Sequence, residues 1–188
     1  VTPDYMAVGG DRDFVRVPMG LPTAARIAAR LGFMLPTTKM VDAIYALALV
    51  HLTPAPMTPG AQMESTDYFT RHNLTVNQQR DGTGYALSAL TAGQKKDLVL
   101  SNRLRTMPGR VAIYGWHRTN GKPIQPLSTV HGQGYADYSH GIRLISATAF
   151  VNGKPRALAD ILQDPGISAA VSSEGPITLS NQLLASLQ

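Results

Sequence analysis

The chain of 188 residues contains no cysteine. That absence excludes disulfides, zinc–thiolate centres, iron–sulfur clusters and a thiol nucleophile together. Glutamate is nearly absent: Glu64 and Glu174 are the only two. A glycosidase built on paired glutamates is therefore not expected, and Asp137 with Glu64 is the one carboxylate pair to weigh. Long apolar runs are missing too. The longest, Ala43 to Val50, contains Tyr45 and falls far short of the ~18 residues that a membrane span requires. Charged residues make up 15% of the chain, and the glycines form neither a Walker nor a dinucleotide loop. The basic stretch lacks the aromatic and basic signature of an RNA-binding module, so nucleic acid is not the favoured partner.

What is present is ordinary apolar content, 44%, together with 17 glycines and 13 prolines. This reads as one loop-rich globular domain spanning 1–188, mainly helical over 1–92 and sheet-containing over 93–188. Net charge is +5, which favours anionic partners. The charge is unevenly placed. Leu98 to Ala136 has no acidic residue, yet holds Arg103, Arg105, Arg110, Arg118 and Lys122. A chain that begins at Val1 rather than Met is expected to have been processed, by loss of an export signal or by trimming. With the missing cysteine and the basic flank, this sets the expectation of a secreted or periplasmic protein.

The pattern predicts an extended arm over Val1 to Gly20. A helix follows from Pro22-Thr23 to Gly32, with Pro at its start and Gly at its stop. A second runs from Thr37 or Thr38 to His51, and a third from Ser65 to Arg80. Strands are predicted at Asp97 to Leu100, Arg110 to Tyr114 and Gly141 to Ser146. Phe150-Val151 leads into an Asn152-Gly153 hairpin turn. Short helices close the chain at Ala157 to Leu162 and Ser180 to Leu187. The fold class is α+β: N-terminal helices, a central, mostly antiparallel sheet and short C-terminal helices.

Three of the five histidines, His117, His131 and His140, fall between Tyr114 and Arg143, where even spacing would place fewer than one. The same stretch carries Asp137, Tyr114, Tyr135, Tyr138, Ser128 and Ser139. Imidazole suits acid–base chemistry near neutral pH and also binds metals. Asp137 would orient one histidine, and Arg143 and Arg118 would hold an acidic group of the substrate. Three mechanisms compete. One is a zinc site of His117, His131 and His140, or of two of these with Asp137. Another is metal-free hydrolysis with Ser139 or Ser128 as nucleophile, without a Gly-x-Ser-x-Gly elbow. The third is elimination from an acidic sugar with Tyr and His as base and acid. The surrounding positive charge favours a metal-free site. Elsewhere, His51 reads as a cap for the end of the second helix, His72 as a packing residue, and Lys39 and Asp42 as surface positions.

Ser139-His140-Gly141-Ile142-Arg143-Leu144, with His131-Gly132 upstream, resembles part of the signature of the L,D-transpeptidases, β-rich enzymes that crosslink peptidoglycan. The resemblance covers about six consecutive residues. Ile142 stands where that family has its catalytic cysteine, so its acyl-enzyme chemistry does not carry over.

The resulting expectation is an exported hydrolase of an anionic extracellular or envelope polymer. His131, His140 and Asp137 form its core, with His117, Tyr138 and Ser139 assisting. Arg143, Arg118, Tyr114 and Trp116 contact substrate. Three alternatives stand beside it: a non-catalytic module that binds an acidic polymer through its basic face, a lyase of an acidic polysaccharide, and a structural or assembly protein.

Overall fold

The computed structural model describes residues 1–178; the predicted helix from Ser180 lies outside them. The N-terminal arm pairs β1 (Ala7–Val8) with β2 (Val15–Arg16). Helix α1 (Leu21–Arg30) starts with Pro22 in its first turn, where a missing N–H costs nothing, and buries Leu21, Ala24, Ala25 and Ala28. Strand β3 (Phe33–Met34) follows, then α2 (Thr38–Leu47), capped by the Thr37 side chain accepting from the Met40 N–H. The second helix stops four residues short of its predicted end. Beyond it the chain is drawn out as β4 (Val50–His51), which pairs in parallel with β5 (Thr91–Ala92). Between these two strands, α3 (Thr66–Asp81) starts on a Ser65 side-chain cap and ends at Gly82.

The central sheet has four strands: β6 (Lys96–Leu98), β7 (Ile113–His117), β8 (Pro123–Ser128) and β9 (His140–Gly141), in the order β8-β7-β6-β9. A single helical turn, α4 (Arg103–Thr106), links β6 to β7. Pairing is antiparallel except between β6 and β9. Strand β8 has no counterpart in the predicted set, because Pro123 and Pro126 argue against a strand; the edge of the sheet is where prolines are tolerated. The predicted strand Gly141 to Ser146 splits in two. Its first part is β9, and β10 (Ile145–Ser146) pairs with β3 instead. The hairpin β11 (Thr148–Val151) and β12 (Lys154–Ala157) turns at Asn152-Gly153 as predicted, and leads into α5 (Leu158–Gln163). The class is α+β with mostly antiparallel pairing.

The two-residue period of strands assigns the faces. On one face Leu98, Leu100, Ile113, Ile142 and Leu144 pack against α1 and α5 in the main core. Lys96 and His140, one step earlier in the same alternation, continue that row toward the end of the sheet. On the other face, Val99 and Ala112 meet Val41 of α2. Asp97 there accepts from the Tyr5 hydroxyl at 2.9 Å.

Strand β7 changes sides partway. Its register with β8 shifts between Ile113 and Gly115, and Gly115 and Trp116 both have positive φ, at 106° and 57°. This is a β-bulge, which exchanges the faces of everything after it. Tyr114 and His117, three residues apart, therefore reach the same carboxylate of α2, and Trp116 turns to the face of Lys96.

Candidate functional site

The predicted residues form two groups. The first surrounds His140. Its ring centroid lies 5.5 Å from that of Tyr135 and 6.5 Å from that of His131, and His131 stacks on Tyr135 at 4.0 Å. Asp137 comes within 3.8 Å of His140 Nε2 through Oδ2. The Lys96 ammonium sits 5.0 Å above the Trp116 ring. Lys96 is paired in register with His140 on β9, so the two side chains are neighbours on one face.

Asp137 is buried and tightly held. Its Oδ1 accepts from the Ser139 N–H at 2.7 Å and from the Ser139 hydroxyl, and its Oδ2 accepts from the Tyr135 hydroxyl at 3.1 Å. Burial pushes its pKa up, but nearby positive charge at His140 and Lys96 and the two Ser139 bonds outweigh it, holding the carboxyl below its usual range. Burial lowers the His140 pKa, against the pull of Asp137, so the ring is neutral at pH 7. Neither His140 ring nitrogen has a hydrogen-bond partner among the described residues, although His140 is 0% exposed.

The expected serine nucleophile does not emerge. The Ser139 hydroxyl donates to Asp137 rather than facing an imidazole, and Ser128 is half-buried on the edge strand β8. Tyr138 is buried. Its hydroxyl accepts from the Met57 N–H at 2.7 Å, and its ring packs against Tyr68 and His72. Burial raises the pKa of both Tyr135 and Tyr138, opposing a phenolate base.

The second group, across the sheet, contains His117. Its Nε2 donates to Asp42 Oδ1 at 2.9 Å, the Tyr114 hydroxyl donates to the same oxygen at 2.9 Å, and the His117 ring stacks on Tyr45. Behind them lies a crevice lined by Tyr5, Lys95, Asp97, His117 and Arg143. A Cβ on Gly115 would enter this space, 3.5 Å from both Asp97 Oδ2 and His117 Nδ1. Burial lifts Asp97 to about 7, against Arg143 and Tyr5, and lowers Lys95 to about 7.

This partition corrects the sequence reading at several positions. His117 does not join His131 and His140, because the bulge carries it to the other face. Among the described residues no group of three His, Asp or Glu side chains is placed to hold a metal, so the expected zinc set is not assembled. Arg143, expected to bind substrate, is 1% exposed. It donates to the carbonyls of Thr2 and Thr91 and lies 4.1 Å over Tyr5, tying the N-terminal arm to the sheet. A Cβ at Gly141 would lie 2.5 Å from the Tyr5 ring, so glycine permits that contact. Trp116 is buried rather than exposed, Tyr114 is committed to Asp42, and Arg118 lies on the exposed turn after β7. Asp42, read as surface, instead joins two site candidates. Lys39, read the same way, donates to the Ala169 carbonyl. His51 does bond the Tyr45 carbonyl in the last turn of α2, at 2.8 Å, and His72 packs under Tyr138.

The sequence reading missed Lys96, whose cue was its alternation with Leu98 and Leu100 in a strand otherwise facing the core. It also missed Asp97, a carboxylate in the middle of an apolar strand. Glu64 carries enough charge toward Tyr135 to raise its pKa further, which brings it to the first group without pairing it to Asp137. Comparison with protein-family models, curated proteins and solved structures found no match.

Proposed function

We propose that the protein is an exported hydrolase of an anionic extracellular or cell-envelope polymer, with Asp137 and His140 as its acid–base centre. The observation that carries this reading is the buried, unpaired imidazole of His140 beside an ionised carboxylate. Buried polar groups without partners cost free energy and cluster where a reaction needs them. A neutral imidazole can take a proton from water as water attacks the substrate, and Asp137 favours the imidazolium that results. Ser139 and Tyr135 position Asp137 by donating to its two oxygens. Half-buried His131 stands on the open side of His140 and can return a proton to the leaving group. Exposed Arg110, bridged in register with Gly132 beside His131, supports an acidic substrate.

The test is release of soluble fragments from a panel of acidic polymers, including peptidoglycan, polygalacturonate and a phosphodiester-linked wall polymer. Turnover lost in folded His140→Ala supports the reading. Full activity in that variant, or no turnover on any member of the panel, removes it. A second reading rests on Arg103, Arg105, Arg110, Arg118 and Lys122, all exposed: a non-catalytic module binding the same polymers. It predicts binding that weakens steeply with salt and no fragments.

A further inference from the structure

The neighbourhood of His140 has more hydrogen-bond donors than acceptors. The Asp137 oxygens are already taken by Ser139 and Tyr135. Three nearby groups are not. The Lys96 ammonium has three N–H bonds and no hydrogen bond or ion pair among the described residues, with its stem half-buried and its head over Trp116. The Trp116 indole N–H is unpaired, on a side chain 5% exposed. His140, neutral, offers one further N–H and one acceptor. The group that balances this set is rich in acceptors and negatively charged.

The backbone is strained to make the arrangement. Trp116 is one of two non-glycine residues with positive φ; the other, Asn152, sits in a hairpin turn that calls for it. A bulky aromatic residue at φ 57° is unfavourable and persists only where its surroundings hold it. Here the strain accompanies the bulge that turns the indole to the face of Lys96 and His140. A regular strand would send it toward α2.

We propose that Lys96, Trp116 and His140 form a subsite for an oxyanion of the substrate, a carboxylate or phosphate group held beside Asp137–His140. This rests on the reading of that centre as a hydrolase and specifies what it recognises: the acidic substituent next to the bond that is cut. Lys96 supplies the charge, Trp116 a directed N–H, and His140 touches both the anion and the reacting water.

Trp116 is the only tryptophan, so its indole N–H gives a single NMR resonance that reports on the subsite directly. We would follow that resonance while titrating the protein with inorganic phosphate, with D-galacturonate and with neutral D-galactose. A saturable shift is expected with at least one anion and none with galactose; the two anions separate phosphate from carboxylate recognition. Lys96→Gln, or Lys96→Met if the first variant loses spectral dispersion, should weaken the anion by about tenfold. No saturable response to either anion, an equal response to galactose, or unchanged affinity in the folded lysine variant would overturn the subsite. Turnover that needs His140 without any indole response removes the subsite and keeps the hydrolase. Anion binding without turnover on the polymer panel keeps the subsite and removes the hydrolase.

Discussion

The molecule contains two aspartate–histidine pairs on opposite faces of one small sheet, and they are built to different specifications. Asp42 and His117 are bonded at 2.9 Å, the carboxylate is about half exposed (51%), and Tyr45 and Tyr114 complete the packing. Asp137 and His140 are more deeply buried, at 1% and 0% exposure, yet stand 3.8 Å apart, and the imidazole has no partner. A histidine that has found its bond is part of the fold's hydrogen-bonding economy. One that is buried without a bond has stability withheld from it, the usual sign that the geometry serves something besides folding.

The sharpest way to break this comparison is activity. His140→Ala should lower kcat/KM on the responsive polymer by about 10²–10⁴-fold, the range for loss of an acid–base group. His117→Ala should stay within about threefold of wild type wherever it remains folded. Equal losses would mean that the two pairs work as one site.

The next effect separates the pairs by stability, and the order reverses. His117→Ala removes a stacked ring and a buried bond, so thermal or urea unfolding should show a loss of about 2–3 kcal/mol. His140→Ala removes two unpaired buried nitrogens along with its packing, and should cost about 1 kcal/mol or less.

The crevice behind His117 has a pH signature of its own. Asp97 has its folded pKa raised to about 7, burial being the main cause. Its contribution to stability is fully present below its unfolded value of about 4 and is lost as pH rises toward 7. Asp97→Asn should therefore differ little from a pH-independent offset below pH ~4 and gain on wild type by roughly 1–2 kcal/mol between pH ~4 and ~7. Chemical denaturation at several pH values reads this directly. A flat difference across that window would show that Asp97 stays ionised through its pairing with Arg143 and Tyr5.

Much of the fold was legible because it is local. Pro22 in the first turn of α1, the Ser65 cap of α3 and the Asn152-Gly153 turn each act within a few residues. The gathering of His131, Asp137 and His140 was legible for a similar reason: ten residues of chain connect them. The division of the site was not. It depends on the bulge at Gly115-Trp116, whose register is set by pairing with β8 rather than by anything within β7. One residue of slip exchanges Trp116 with His117 across the sheet, and no periodicity in the sequence reports it. The role of Arg143 was hidden in the same way, since its acceptors are the carbonyls of Thr2 and Thr91, far away along the chain.

Tyr114 gives the smallest and most discriminating test. From sequence it belongs with the substrate contacts; in the fold its hydroxyl donates to Asp42 and the ring stands edge-on to His117. Burial first, then the Asp42 bond, lifts its pKa to about 12, so it stays protonated and donates across the working pH range. Tyr114→Phe deletes that one hydroxyl. The carboxylate keeps His117 and has solvent to replace the lost donor, so the expected loss is about 0.5–1 kcal/mol in unfolding measurements. KM for the polymer should not move. A raised KM with unchanged stability would place Tyr114 back among the substrate contacts, and would mean that substrate spans the β7 edge of the sheet to reach both faces.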